Sequence, residues 1–269
     1  MTLDRLLARP TADIAYSDRG VGRPDVVLTH GAGVDHAMFE AQAASLAQRG
    51  VRVILWDLRG HGRSSIAQGT RFTARDALGD LDALLRACGT AAPVLVGHSL
   101  GGNLAQAFAQ RHPDRVTGVV VLDATWNAGP LSRPERSALR LAAPILSLIP
   151  ARALPHLMAR ASAQSPEAIA LTEAAFARMP KRRFLEVWRA TTSLVSPDPG
   201  FRSAVPIALI RGARDRTGNI AAAMRRWAAA EDIVERVIPD AGHMVTWDAP
   251  DAVSRVLIGV LRDWKLLPE

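Results

Sequence analysis

Residues 93–102 read Pro-Val-Leu-Val-Gly-His-Ser-Leu-Gly-Gly, an apolar strand-like run that enters Gly97-His98-Ser99-Leu100-Gly101 and continues into a helix-like stretch as far as His112. A serine between two glycines at the junction of a strand and a helix is the pattern of a nucleophile elbow. A hydroxyl is a weak nucleophile at neutral pH, and the sharp turn lifts it to where a histidine can reach it. Glycines flank the serine because such a turn leaves no room for side chains. The five-residue pattern occurs by chance in many sequences, so the strand before it and the helix after it carry the weight.

On both sides of the elbow, short apolar runs alternate with helical patterns. This predicts an α/β fold with a mostly parallel central sheet and helices on both faces. Strands are expected at 12–17, 26–30, 51–57, 94–98, 116–123, 206–211 and 233–238, and helices near 36–48, 73–86, 100–111, 219–230 and 249–264. From Val51 onward the strands are rich in Val, Ile and Leu without clean alternation, as expected when both faces of a sheet are covered. Between residue 127 and about 199 the strands vanish, and proline-punctuated helical segments such as 136–148 and 165–178 replace them. Strand character returns at Val205. The expected organisation is a core domain of residues 1–126 and 205–269 with a helical cap, residues 127–204, inserted into it.

Composition narrows the function classes. At 269 residues with 48% hydrophobic side chains the chain can bury a full core, and a mean hydropathy of +0.06 suits a soluble globular protein. The amino-terminal stretch carries charges where a signal peptide would be apolar, so a cytoplasmic protein is expected. The most apolar stretch, residues 139–157, contains Arg140, Arg152, Pro144, Pro150 and Pro155, which argues against a membrane span. Cys88 is the only cysteine, so neither an internal disulfide nor a thiolate metal cluster can form. Of the net charge of +7, the segment 127–204 carries +6, from eleven basic and five acidic side chains. Solvated arginine faces explain this in a chain that favours Arg so heavily, and attraction of an anionic substrate is the sharper alternative. The basic residues form no nucleic-acid recognition motif.

A nucleophilic serine needs a base, and the base needs a third group to hold its tautomer. His243, in Asp240-Ala-Gly-His-Met-Val, follows the last expected strand and so stands at the carboxyl edge of the sheet with the elbow. Asp215, in Gly212-Ala-Arg-Asp, follows the strand 206–211 at the same edge, giving the chain order Ser, Asp, His. Asp123 also ends a strand and is the competing acid, while Asp240 and Asp248 are closer to His243 only in sequence. His98 lies within the elbow and is read as a packing or hydrogen-bonding residue. An oxyanion hole needs two backbone N–H groups. Leu100, which follows the serine, supplies one, and Ala32 in His30-Gly31-Ala32-Gly33 is the expected second, ahead of Gly33.

Together, His30-Gly-Ala-Gly, Asp57-Leu-Arg-Gly-His-Gly-Arg-Ser, Gly97-His-Ser-Leu-Gly-Gly, Gly212-Ala-Arg-Asp and Gly242-His243 resemble the α/β-hydrolase superfamily in its cap-bearing esterase and lactonase-like branch. The resemblance covers nearly the whole chain outside the cap. It implies a serine hydrolase acting on a small-molecule ester or lactone without a cofactor or metal. It also implies that Asp57, Arg59 and His61 are architectural. Serine at 99 argues against relatives with an aspartate nucleophile. Tyr16, the only tyrosine, lies in the first expected strand, so the cap tyrosines of epoxide hydrolases have no counterpart. Carbon–carbon bond hydrolases often have Asn before the serine and Trp after the histidine, where this chain has His98 and Met244. Met38, Phe39, Trp126, Met244 and Trp247 are the candidate pocket residues, each individually weighted toward core packing.

Overall fold

The computed structural model describes residues 2–268. Its strands are β1 (Arg5–Arg9), β2 (Ala12–Arg19), β3 (Asp25–Thr29), β4 (Arg52–Trp56), β5 (Val94–His98), β6 (Gly118–Leu122), β7 (Ile207–Gly212) and β8 (Glu235–Ile238). They form one sheet in the order β1-β2-β4-β3-β5-β6-β7-β8. Neighbours from β4 to β8 are parallel, and β2 is antiparallel to both β1 and β4.

The strands read as unbroken apolar runs because each feeds two cores. Val27, Ile54, Leu95, Val119 and Val121 face one side, where α2 (Ala74–Ala87), α3 (Leu100–Arg111) and α8 (Ile220–Glu231) cover them. Val26, Leu28, Val53, Val94, Val96 and Val120 face the other, under α1 (Glu40–Ala47) and α10 (Pro250–Asp263). Alternate residues of one strand point to opposite faces, so this division follows from the pleat. Cys88, at the end of α2, is buried, and burial pushes its thiol up to about 11, which leaves it an inert packing group.

β1 was not among the expected strands. Its sequence, Arg-Leu-Leu-Ala-Arg, looks like a charged terminus, yet it pairs with β2 as an edge strand. Its arginines are paired, Arg9 with Asp80 at 3.0 Å and Arg5 with Asp18 at 3.5 Å. Charge on an edge strand discourages pairing with other chains.

Between β6 and β7 the chain forms α4 (Arg133–Leu148), α5 (Leu154–Ser162), α6 (Pro166–Arg178) and α7 (Lys181–Ser193). No described helix is long and apolar enough to cross a membrane. α4 starts at a capping box in which Ser132 and Glu135 satisfy each other's backbone N–H groups. Glu135 also accepts from Arg226 at 2.7 Å and Asn219 at 3.1 Å, which ties α4 to the start and middle of α8. Burial would raise the Glu135 pKa, but Arg226 and the Ser132 backbone hold it down to about 2. A depressed carboxyl stabilises the fold above its unfolded value of 4.5 and loses that contribution as pH falls toward 2. Hydrogen exchange in the first turn of α4, corrected for intrinsic rate, is therefore expected to accelerate between pH 5 and pH 3 more than in α3. Equal acceleration in the two helices would show that Glu135 does not anchor α4.

Candidate active site

Strand order sets the position of the site. The chain moves from β3 to β4 on one side and later to β5 on the other, so the loops after β3 and β5 diverge and leave a crevice at the carboxyl edge. Ser99 stands there with φ +49° and ψ −116°, a conformation uncommon for a residue other than glycine. Its N–H donates to the Leu122 carbonyl at 2.9 Å, which fastens the turn to β6. A Cβ on Gly101 would lie 2.1 Å from the Thr29 carbonyl oxygen, so only glycine lets the first turn of α3 sit against β3. Leu100 opens α3, where the backbone N–H has no intrahelical partner. On the β3 side, a Cβ on Gly31 would come within 2.5 Å of the His98 ring and 3.3 Å of Ser99 Cβ. That close approach brings the segment 30–33 against the serine, and Ala32 and Ser99 line the same cavity.

Asp215 and His243 meet across the ends of β7 and β8. The His243 Nδ1 to Asp215 Oδ2 distance is 3.1 Å, with both side chains buried. The Thr217 N–H donates to Asp215 Oδ1 at 2.8 Å. Burial alone would raise the Asp215 pKa; His243 and then the Thr217 donors outweigh it and hold the carboxyl well below its ordinary value. Asp215 is thus an anion throughout the neutral range, and an anion at Nδ1 leaves Nε2 free to accept a proton.

Asp123 lies in the same place. One ligand atom each from Asp123, Asp215 and His243 fall within 4.8 Å of one another. Asp123 is fully buried with φ +41°, and its Oδ1 accepts the Gly212 N–H at 2.9 Å. Burial, and then the Asp215 charge, push its pKa well above the usual carboxylate range. As a metal site the group is poor, because both Asp215 oxygens and Asp123 Oδ1 already take hydrogen bonds and only Asp123 Oδ2 is left.

The other acids near His243 are engaged elsewhere. Asp240 is exposed and pairs with Arg214 at 2.5 Å. Asp248 accepts N–H groups from Gln164, Ser165 and Gly242. His98 is buried, and its Nε2 donates to the His243 carbonyl at 2.8 Å. Burial and the neighbouring His243 lower its pKa to about 3, so it stays neutral and fixes the His243 backbone. Asp57, Arg59 and His61 make structural contacts. Asp57 accepts from the backbone of His36 and Arg63, and Arg59 forms a buried fork with Asp80 at 2.6 and 2.7 Å. His61 Nδ1 donates to the Arg59 carbonyl. His30 Nε2 accepts the Leu58 N–H at 2.9 Å, coupling that loop to the one beside Ser99.

The cavity that Ser99 opens into has a volume of about 90 Å³. Its floor is Asn103, Ala124 and Thr125, and the loop 217–220 forms one wall. Leu139 of α4 and Trp188, Thr191, Thr192 and Val195 of α7 and its end close it from above. Asn103 donates to the Thr125 carbonyl at 3.0 Å and to Asn127 Oδ1 at 2.6 Å, so the floor is a fixed network of neutral amides. No lining residue among those described is charged.

The expected pocket residues are placed differently. Met38, Phe39 and Met244 are at most 2% exposed and pack in the core with α1 and α10, which Trp247 adjoins. Trp126 stacks on Trp227 with 5.9 Å between ring centroids and lines a separate small cavity beside Phe201. None of the five lines the Ser99 cavity. The residues that line it from α4 and α7 were not singled out in the sequence, because helical periodicity shows which face of α7 is apolar but not which element that face meets.

A family model described as the alpha/beta hydrolase family matches residues 26–256. The chain belongs to the alpha/beta hydrolase family. It is 39% identical over 124 residues to a 2-hydroxy-6-oxononadienedioate/2-hydroxy-6-oxononatrienedioate hydrolase of Burkholderia vietnamiensis, covering 44% of this chain and 41% of that one. It is 38% identical over 120 residues to a pyrethroid hydrolase of Sphingobium wenxiniae, covering 43% and 40% of the two chains. The match thus spans about two fifths of the length of these relatives. Among solved structures, a thermophilic esterase from Thermogutta terrifontis superposes on this chain with TM-score 0.79 at 26% identity, covering 97% of this chain and 99% of that one. Relatives so unlike in chemistry leave the reaction of this chain to be read from its own site.

Proposed function

We propose that the chain hydrolyses neutral carboxylic esters or lactones through an acyl-enzyme on Ser99. The observation that carries this reading is the His243 Nδ1 to Asp215 Oδ2 contact of 3.1 Å at the edge where Ser99 is held in its turn. His243 Nε2 takes the Ser99 proton as Oγ attacks the carbonyl carbon, and Asp215 stabilises the imidazolium that forms. The backbone N–H groups of Leu100 and Ala32 hold the oxyanion. His243 then returns the proton to the departing alkoxide, and water activated by the same histidine cleaves the acyl-serine. Helices α4 to α7, as a cap over the cavity, keep bulk water from the acyl group.

Neutral lining argues for neutral substrates. The Burkholderia relative is named for a dioate, whose two carboxylates call for cationic partners, and the cavity offers threonine, asparagine and apolar side chains instead. A carbon–carbon bond hydrolase of such a substrate is the second reading, favoured only by that local identity.

Incubation with a fluorophosphonate and mass spectrometry of the intact protein is expected to give one adduct, located on Ser99, with turnover of p-nitrophenyl esters. A folded protein that takes no adduct would turn the reading toward a ligand-binding protein. Leu139 reaches the cavity from α4, so Leu139→Ala should shift the kcat/KM ratio of longer over shorter acyl esters upward by about tenfold, the order of one to two methylene contacts. An unchanged ratio would place the acyl group elsewhere.

A further inference from the structure

Two carboxyl groups share one buried space beside His243, and the simple triad accounts for only one of them. Asp215 has a full set of partners for an anion: the Thr217 N–H on Oδ1 at 2.8 Å and the His243 ring on Oδ2 at 3.1 Å. Asp123 has one donor, the Gly212 N–H on Oδ1 at 2.9 Å, and its fully buried Oδ2 receives none. Two carboxylates this close in the interior cannot both ionise, and the proton stays on the group whose charge is less well solvated. An unpartnered buried oxygen is also costly unless it carries a proton and donates it.

We propose that Asp123 is a neutral carboxylic acid whose Oδ2–H is donated to the Asp215 carboxylate, making it the positioning residue that holds Asp215 against His243. The inference rests on the role proposed for Asp215 above. Of the other charged groups, only Arg211 favours an ionised Asp123, and its effect is smaller than those of burial and the Asp215 charge. Arg211, at the end of β7, is turned to Glu235 at 2.7 Å and to the Gly212 carbonyl at 2.8 Å. His98, on the other side of His243, is neutral and donates to the His243 backbone. Burial and the Asp215 charge both favour the protonated form of Asp123. Its left-handed backbone, φ +41°, is a strained conformation fixed by its surroundings. The arrangement has a chemical consequence. A second anion here would crowd two negative charges into one buried space, whereas a neutral acid fixes Asp215 and adds no charge.

The direct test reads the proton without turnover. Infrared spectra at pH 7 are expected to show the carbonyl stretch of a protonated carboxyl group in the wild-type protein and its loss in Asp123→Asn. Absence of that band from the wild type would overturn the proposal. In the kinetic test, Asp123→Leu keeps the branched shape of the side chain but no donor, while Asp123→Asn keeps an N–H toward Asp215. The Leu variant is expected to lose at least about tenfold more kcat than the Asn variant, the order of one charge-assisted hydrogen bond. Equal losses would overturn the proposal. So would an acid limb of the kcat/KM profile displaced about a unit downward in Asp123→Asn, because that shift would mean a charge had been removed. Ser99 labelling by the fluorophosphonate in the same variants separates this outcome from failure of the hydrolase reading.

Discussion

Ser99→Ala is expected to reduce ester turnover by at least about 10⁴-fold while leaving the fold intact. The size of the loss follows from the division of labour proposed for the site. Without Oγ no acyl-enzyme forms, and the remaining N–H donors and His243 can only promote direct attack by water. Residual catalysis of that kind persists in serine enzymes stripped of their nucleophile. Stability should move by no more than about 0.5 kcal/mol, because Oγ makes no hydrogen bond that supports the turn and Ala meets the same φ of +49° as Ser. Steady-state kinetics beside a thermal melt separates the two effects. A variant with wild-type turnover would end the assignment of Ser99. A variant that loses turnover and also melts early would leave the mutant uninformative, and the fluorophosphonate adduct on the wild type would then decide.

How far the sequence disclosed this site depends on what each signal measures. The parallel strands were legible because unalternated runs such as Val119-Val120-Val121 are required when α3 covers one face and α10 the other. Edge strand β1 was hidden because the charges that protect an edge also make it look like a solvated tail. Ser99, His243 and Asp215 were singled out because each follows a strand, and in a parallel sheet all such positions gather at one edge. The lining was illegible for the converse reason. Met38 and Phe39 come directly after the segment beside Ser99, but the short turn there carries them over the sheet edge into the core under α1. Trp188 and Thr191 lie far along the chain, and the packing of α7 brings them to the serine. Likewise, the sequence presented Asp123 and Asp215 as rivals, and only the register of β6 against β7 places them side by side.

That juxtaposition makes Asp215→Asn the most discriminating of the large-effect variants. An asparagine at 215 presents either its oxygen or its NH₂ to His243 Nδ1. The neighbouring Asp123 and the Thr217 N–H decide which, since the oxygen is needed to receive the Thr217 donor at 2.8 Å. The NH₂ then faces Nδ1, and the ring answers by carrying its proton on Nε2, where it can no longer accept one from Ser99. The same exchange in a serine protease costs about 10⁴-fold in kcat through the wrong tautomer, and a loss of about 10³- to 10⁴-fold is expected here. Substrate binding should change little, so the loss belongs in kcat rather than KM. With the Asp215 charge gone, the repulsion that keeps Asp123 protonated is gone too, and Asp123 should ionise more readily as pH rises. Activity of Asp215→Asn should therefore recover in part at alkaline pH, as an anion again forms beside His243. Adding Asp123→Asn should remove that recovery. If Asp123→Asn alone proves as damaging as Asp215→Asn, the two acids have exchanged roles, and the anion at His243 is the one at the end of β6.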